Sequence, residues 1–123
     1  MSYMAGYFLY KYNTKIVRVV DGDTFEVDID LGFNVNIRQK IRVAEFDAPE
    51  SWRPKTKAEK LHGNEAKSRA KELLEGREVL ITTEKQGKYG RYIAYIILPD
   101  GRDYATTMIE EGFSKRNSYT DED

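Results

Sequence analysis

The sequence predicts a mainly β domain of α+β class, built on a five-stranded barrel, and three observations predict it. Residues 24–31 alternate strictly, with Phe25, Val27, Ile29 and Leu31 apolar against Thr24, Glu26, Asp28 and Asp30, which is the period of a half-buried strand. That strand sits in a leading meander of three, whereas a ferredoxin-like sandwich would open β-α-β. Helical spacing appears only after the third and the fifth strand. The resulting order, β-β-β-α-β-β-α, is that of a barrel of OB type, which closes its sheet edges.

In chain order, residues 7–20 are rich in aromatic and β-branched side chains and predict a long first strand, interrupted at the turn-prone Asn13-Thr14. Asp21-Gly22-Asp23 is a turn signal. After the alternating strand, Gly32-Phe33-Asn34 turns the chain back. Val35, Ile37, Ile41 and Val43 then continue one apolar face, opposite Asn36, Arg38, Lys40 and Arg42. Residues 51–60 hold a proline, Trp52, Arg53 and several lysines without periodicity, and predict a loop, solvated by default, with a substrate flap as the second reading. From Asn64 the spacing turns helical, with Ala66, Ala70, Leu73 and Leu74 on one face and Gly76 as the stop; a start nearer Ala58 stays open. Residues 78–84 predict a fourth strand around Val79 and Ile81, and 91–98 a fifth. Asp103 caps a short helix that turns Ala105, Met108 and Ile109 inward and ends at Gly112. Residues 118–123 form a polar, acidic tail, expected to fray.

The bulk properties narrow the chemistry. With 123 residues the chain is expected to be a single domain spanning 1–123, and 40% apolar with 33% charged residues is a globular rather than disordered composition. No apolar run approaches the ~18 residues that span a bilayer, and the first residues lack the pattern of an export signal. The expectation is therefore no membrane partner and a cytoplasmic home; a bacterial, phage or plasmid source is an expectation by association, not one these residues derive. The absence of cysteine removes disulfides, thiolate zinc sites and thiol catalysis. His62 is the only histidine, so mechanisms needing two imidazoles are excluded. Carboxylates and arginines must carry any catalysis. A net charge of −1 gives no overall basic field, and phosphate binding has to come from a local cluster.

Such a cluster is spelled out in three stretches. Asp23 ends one strand turn, and Phe46-Asp47-Ala48-Pro49-Glu50 presents two acids on an extended corner stiffened by proline. Hard cations take oxygen ligands, and Arg42 and Arg91 offer planar forks for phosphate oxygens. Arg42 and Asp47 are five positions apart and would face opposite sides of an unbroken strand, so the strand must end or bulge between them. Each fragment alone reads blandly, as a turn, a solvated arginine or loop acids.

Together and in order, Val20-Asp21-Gly22-Asp23-Thr24, Ile41-Arg42-Val43, Phe46-Asp47-Ala48-Pro49-Glu50, Lys88-Tyr89-Gly90-Arg91 and a late Gly112 resemble the staphylococcal nuclease (thermonuclease) family, over roughly residues 16–115. The resemblance implies an OB-fold barrel, Ca²⁺ dependence, and hydrolysis of DNA and RNA, single-stranded or locally opened, by a monomer. It implies Asp23 and Asp47 as calcium carboxylates, the backbone carbonyl of Ala48 as a further ligand, and Asp21 as an acid near the metal. Glu50 matches the general base for a water held at the cation, and Arg42 and Arg91 match the pair that stabilises the transition state. Lys88 and Tyr89 match positions near a terminal phosphate. Tyr119 stands one position out of register with a tyrosine that stacks on a base.

Three departures accompany the match. Glu45 occupies a position the family often fills with glycine or an aliphatic residue. Gly87 stands where an acid often precedes the Lys-Tyr-Gly-Arg run, and the C-terminal third helix of longer members is expected to be absent. They sustain an alternative: a catalytically weak or inactive module of the same fold that binds single-stranded nucleic acid or a protein partner. Degenerate relatives of that kind lose an acid or an arginine, and this chain keeps all of them.

Overall fold

Alternating side chains build the barrel wall, and bulges bend it. The computed structural model describes residues 10–51, 53–86 and 92–119. Strands β1 (Lys11–Asp21), β2 (Thr24–Asp30), β3 (Asn36–Val43), β4 (Glu78–Gln86) and β5 (Tyr92–Ile97) pair in the order β1-β2-β3-β5-β4. β4 returns to β1 and closes the barrel, as expected of an OB-type domain. Helix α1 (Lys57–Leu74) separates β3 from β4 in the chain, and α2 (Tyr104–Glu110) follows β5. All pairings are antiparallel except β3 with β5, where Ile41 pairs with Tyr92 and Val43 with Ala94. Among the described residues no helix is long and apolar enough to cross a membrane.

β1 is not interrupted at Asn13-Thr14. Ladders on both sides hold the pair extended, Asn13 opposite Leu80 and Thr14 between Ile29 and Val79, and the buried Thr14 hydroxyl donates to the Tyr12 carbonyl at 3.2 Å. The irregularities fall instead between Ile16 and Arg18 and between Val19 and Asp21, where β1 inserts an extra residue against β2. Inward positions therefore step from Ile16 to Val19. The β2–β3 hairpin outruns the barrel: Phe25, Val27, Ile41 and Val43 are buried, while Leu31, Val35 and Ile37, expected on the same apolar face, are exposed.

α1 starts well before Asn64, so the expected loop 51–60 ends in a helical turn. Thr56 is the N-cap, its hydroxyl oxygen accepting the Glu59 N–H at 3.0 Å. Gly63, inside the helix, hides this start from the sequence, because glycine costs about 1 kcal/mol against alanine there. In α2, Asp103 caps as predicted, but Ile109 is exposed and Tyr104 is the inward anchor. Tyr104 meets Phe25 and Phe46 edge-on at 5.5 and 6.3 Å, and its hydroxyl donates to the Gly22 carbonyl at 2.6 Å. Burial pushes its phenol well above the ordinary pKa, helped by the charges of Asp23 and Asp21. The second helix is thereby tied to the Asp21-Gly22-Asp23 turn.

Candidate active site

The acidic corner forms because β3 stops at Val43. The Val43 N–H donates to the Asp23 carbonyl at 2.9 Å and the Ala44 N–H to the Ala94 carbonyl at 2.8 Å, fixing the strand end between β2 and β5. The chain then turns through Glu45, whose φ is +63°. That left-handed residue breaks the strand parity, so Arg42 and Asp47 come to the same side and pair closely. It also gives a backbone reason for glycine at this position, since glycine enters the left-handed region without steric cost. Glu45 itself is exposed.

Asp21, Asp23, Thr24, Arg42, Asp47, Ala48, Glu50, Arg53 and Lys115 line one open pocket of about 540 Å³ at this rim. Asp23 is pinned: its Oδ2 accepts the Ala48 N–H at 3.0 Å and faces Arg42 Nη2 at 3.3 Å, and its Oδ1 accepts the Thr24 hydroxyl at 2.9 Å. The Asp23 side chain is 13% exposed and that of Asp47 73%, so one acid is a fixed post and the other can turn. Asp21 Oδ1 accepts the Ser51 hydroxyl and the Gly22 N–H, both at 3.1 Å. Burial pushes the Asp21 carboxyl above its ordinary pKa; the Ser51 hydroxyl works against that and the Asp23 charge with it.

Helix α1 backs the pocket through two close approaches. A Cβ on Gly22 would lie 2.8 Å from the Cβ of Ala48 and 3.3 Å from that of Ala66. A Cβ on Gly63 would lie 2.5 Å from the Glu50 carbonyl oxygen and 2.9 Å from the Ser51 nitrogen. Only at these distances can the turn, the corner and the helix meet. The segment after α2 closes the other side, the Lys115 N–H donating to the Asp47 carbonyl at 2.8 Å.

The structure thus brings Asp21, Asp23, Arg42, Asp47, Ala48 and Glu50 together. Lys88, Tyr89 and Arg91 lie outside the described residues; Tyr92, next to Arg91 in sequence, pairs with Ile41, next to Arg42. Tyr119 is not among the residues that line the pocket. Its hydroxyl sits 2.6 Å from His62 Nδ1 and accepts the Arg116 N–H at 3.0 Å. Because the Gly112 carbonyl at 2.9 Å from Nε2 can only accept, His62 donates its Nε2–H there, and the neutral ring accepts a hydrogen bond from the Tyr119 hydroxyl at Nδ1. The phenol is engaged in holding the segment after α2 to α1. Lys115 and Arg53 are pocket cations that sequence reading did not assign to the site. Arg53 lies in the stretch read as a flap, whereas no local signal marks Lys115.

The donors at the rim are oxygens, carboxylate and main chain, which suits a hard cation, and the one imidazole is committed to Gly112 and Tyr119. Among the described residues no three carboxylate or histidine side chains stand together as a ligand cluster; Arg42 balances the charge between Asp23 and Asp47. The donor set is one of hard oxygens, with Arg42 lying between Asp23 and Asp47.

A closed five-stranded barrel with two helices, carrying acids and an arginine in one rim pocket, defines a small OB-type barrel domain with a charged site at its rim. Residues 40–123 match the family model described as Staphylococcal nuclease homologue, and the chain belongs to that family. It is 33% identical over 108 residues to a thermonuclease of Staphylococcus hyicus, covering 85% of this chain and 59% of that protein. It is 32% identical over 113 residues to a micrococcal nuclease of Shigella flexneri, covering 84% and 57%. An uncharacterized protein of Methanocaldococcus jannaschii is 33% identical over 126 residues, covering 85% and 58%. The chain spans a little under three fifths of the length of these relatives.

Proposed function

We propose that the chain is a calcium-dependent nuclease that hydrolyses phosphodiester bonds of DNA and RNA, single-stranded or locally opened, and works as a monomer. One observation carries this reading: Asp23 from the first turn, Arg42 from β3, and Asp47 and Glu50 from the corner after it share one rim pocket. The printed names of two relatives, thermonuclease and micrococcal nuclease, support it.

Asp23, Asp47 and the Ala48 carbonyl would hold Ca²⁺, with Asp21 beside them. When bound it supplies positive charge to the phosphate oxygens as negative charge builds there. Glu50, exposed at the pocket edge, takes a proton from the attacking water as the water oxygen bonds to phosphorus. The bond from phosphorus to the leaving oxygen then breaks, and that oxygen is protonated from solvent. Arg42 exchanges its carboxylate partners for phosphate oxygens, and Arg91 supplies a second fork. Lys88 and Tyr89 approach a terminal phosphate.

The test is turnover on single-stranded DNA and RNA with Ca²⁺ and with a chelator. Arg42→Ala, Arg91→Ala and Glu50→Gln are each expected to lower the rate by roughly 10²–10³, the loss typical when a transition-state donor is removed. A wild-type rate in Glu50→Gln would remove the general base and leave the cation site standing. The Arg42 ion pairs with Asp23 and Asp47 favour one other reading, a barrel that binds single strands or a protein partner without turnover. Binding of single-stranded DNA with no hydrolysis in Ca²⁺ would select it.

A further inference from the structure

Glutamate is almost never fully buried unless it is paired, yet Glu59, in the first turn of α1, is 3% exposed. Three donors surround its carboxylate. Oε1 accepts the Lys55 N–H at 3.1 Å, while Oε2 lies 3.5 Å from both the Glu50 N–H and Lys115 Nζ. The side chain therefore reaches past the helix cap to the corner that carries Glu50. One helical turn on, at the i+4 position of the same face, Gly63 lets α1 touch the Glu50 carbonyl. The two polar ends of the Glu50 residue are registered against one helix face.

We propose that Glu59 is a positioning residue for the general base: its carboxylate, seated by Lys55 and Lys115, fixes the Glu50 backbone so that the Glu50 side chain addresses the pocket. The role rests on the assignment of Glu50 in the proposed nuclease reaction. Glu59 is not part of the pocket wall, so it acts through Glu50 rather than on substrate. The long contact to the Glu50 N–H is expected to shorten when substrate fills the pocket, as catalytic hydrogen bonds do on leaving the free state.

Steady-state kinetics on single-stranded DNA with Ca²⁺ test this in Glu59→Gln, which keeps the size and removes the charge. The expected result is a kcat lower by ~30–100-fold with KM within about threefold, because misplacing a reacting group by about an ångström costs ~10². Thr56→Ala removes the cap of the same helix without touching Glu50, and is expected to lose stability by about 1 kcal/mol while holding kcat within about threefold. Hydrogen exchange at the Glu50 amide, read alongside, is expected to rise in Glu59→Gln and not in Thr56→Ala. Equal kcat losses in the two variants, a wild-type kcat in Glu59→Gln, or unaltered exchange at Glu50 in that variant would each overturn the positioning role and leave the nuclease reading intact. A wild-type rate in Glu50→Gln would overturn this role together with the general base, and a wild-type protein with no turnover at all would overturn the nuclease reading.

Discussion

Gly63→Ala is the substitution that separates helix stability from site geometry. The added Cβ would stand 2.5 Å from the Glu50 carbonyl oxygen and 2.6 Å from its carbon, both backbone atoms with no flexible end to swing aside. The corner must recede by about half an ångström to reach the 3.0 Å that real Cβ contacts respect, and by about 0.9 Å to reach ordinary contact at 3.4 Å. Alanine favours the helix by about 1 kcal/mol, and overpacking typically costs ~1–3 kcal/mol, so the net change in stability is small, between about zero and 2 kcal/mol of loss. The displacement of Glu50 is of the size that costs ~10² in rate. Thermal melts and single-turnover rates on single-stranded DNA, run on the same preparation, check both numbers. Full activity together with a raised melting temperature would refute the claim that α1 sets the corner by direct contact.

Other perturbations test other joints of the structure. Glu45→Gly relieves ~1–2 kcal/mol of left-handed strain and adds ~0.5–1 kcal/mol of glycine entropy, so denaturant melts are expected to show a gain of up to about 1.5 kcal/mol; a loss of stability would mean Glu45 is not strained. Tyr104→Phe strands the Gly22 carbonyl and is expected to lower stability by about 1–2 kcal/mol in the same assay. For Glu59, burial works against ionisation, but the Lys55 and Glu50 N–H groups and Lys115 outweigh it, and the carboxyl lies below its ordinary pKa. A depressed pKa contributes stability that is present above the unfolded-state value, about 4.3, and is lost as pH falls through the folded value. The stability gap between wild type and Glu59→Gln is therefore expected to be wide at neutral pH and to close in acid, and a gap that widens in acid would reverse the sign.

Much of this site was legible because its parts are local. Strict alternation from Thr24 to Asp30 marked β2, and the carboxylates flanking Gly22 and Pro49 marked the two bends that meet at the rim. The parity problem between Arg42 and Asp47 pointed to a break, and Glu45 at positive φ is that break. What stayed hidden depends on distant partners. The β1 bulges lie among Ile16, Val17, Val19 and Val20, a β-branched run with no alternation to lose. The start of α1 was masked by Gly63, whose reason is the Glu50 backbone rather than the helix. Tyr104 outranks Ile109 in α2 because its hydroxyl finds Gly22 across the barrel, 82 positions away in the chain. Lys115 meets Asp47 and Glu59 only in the folded state.

Titrating Ca²⁺ into the ¹⁵N-labelled protein while following backbone amide shifts tests the centre of the account without relying on activity. The expected result is a saturable change at Gly22, Asp23, Asp47 and Ala48 that disappears in Asp23→Asn. Saturation with no response at those amides, or the same response in Asp23→Asn, would contradict a cation held between the two bends.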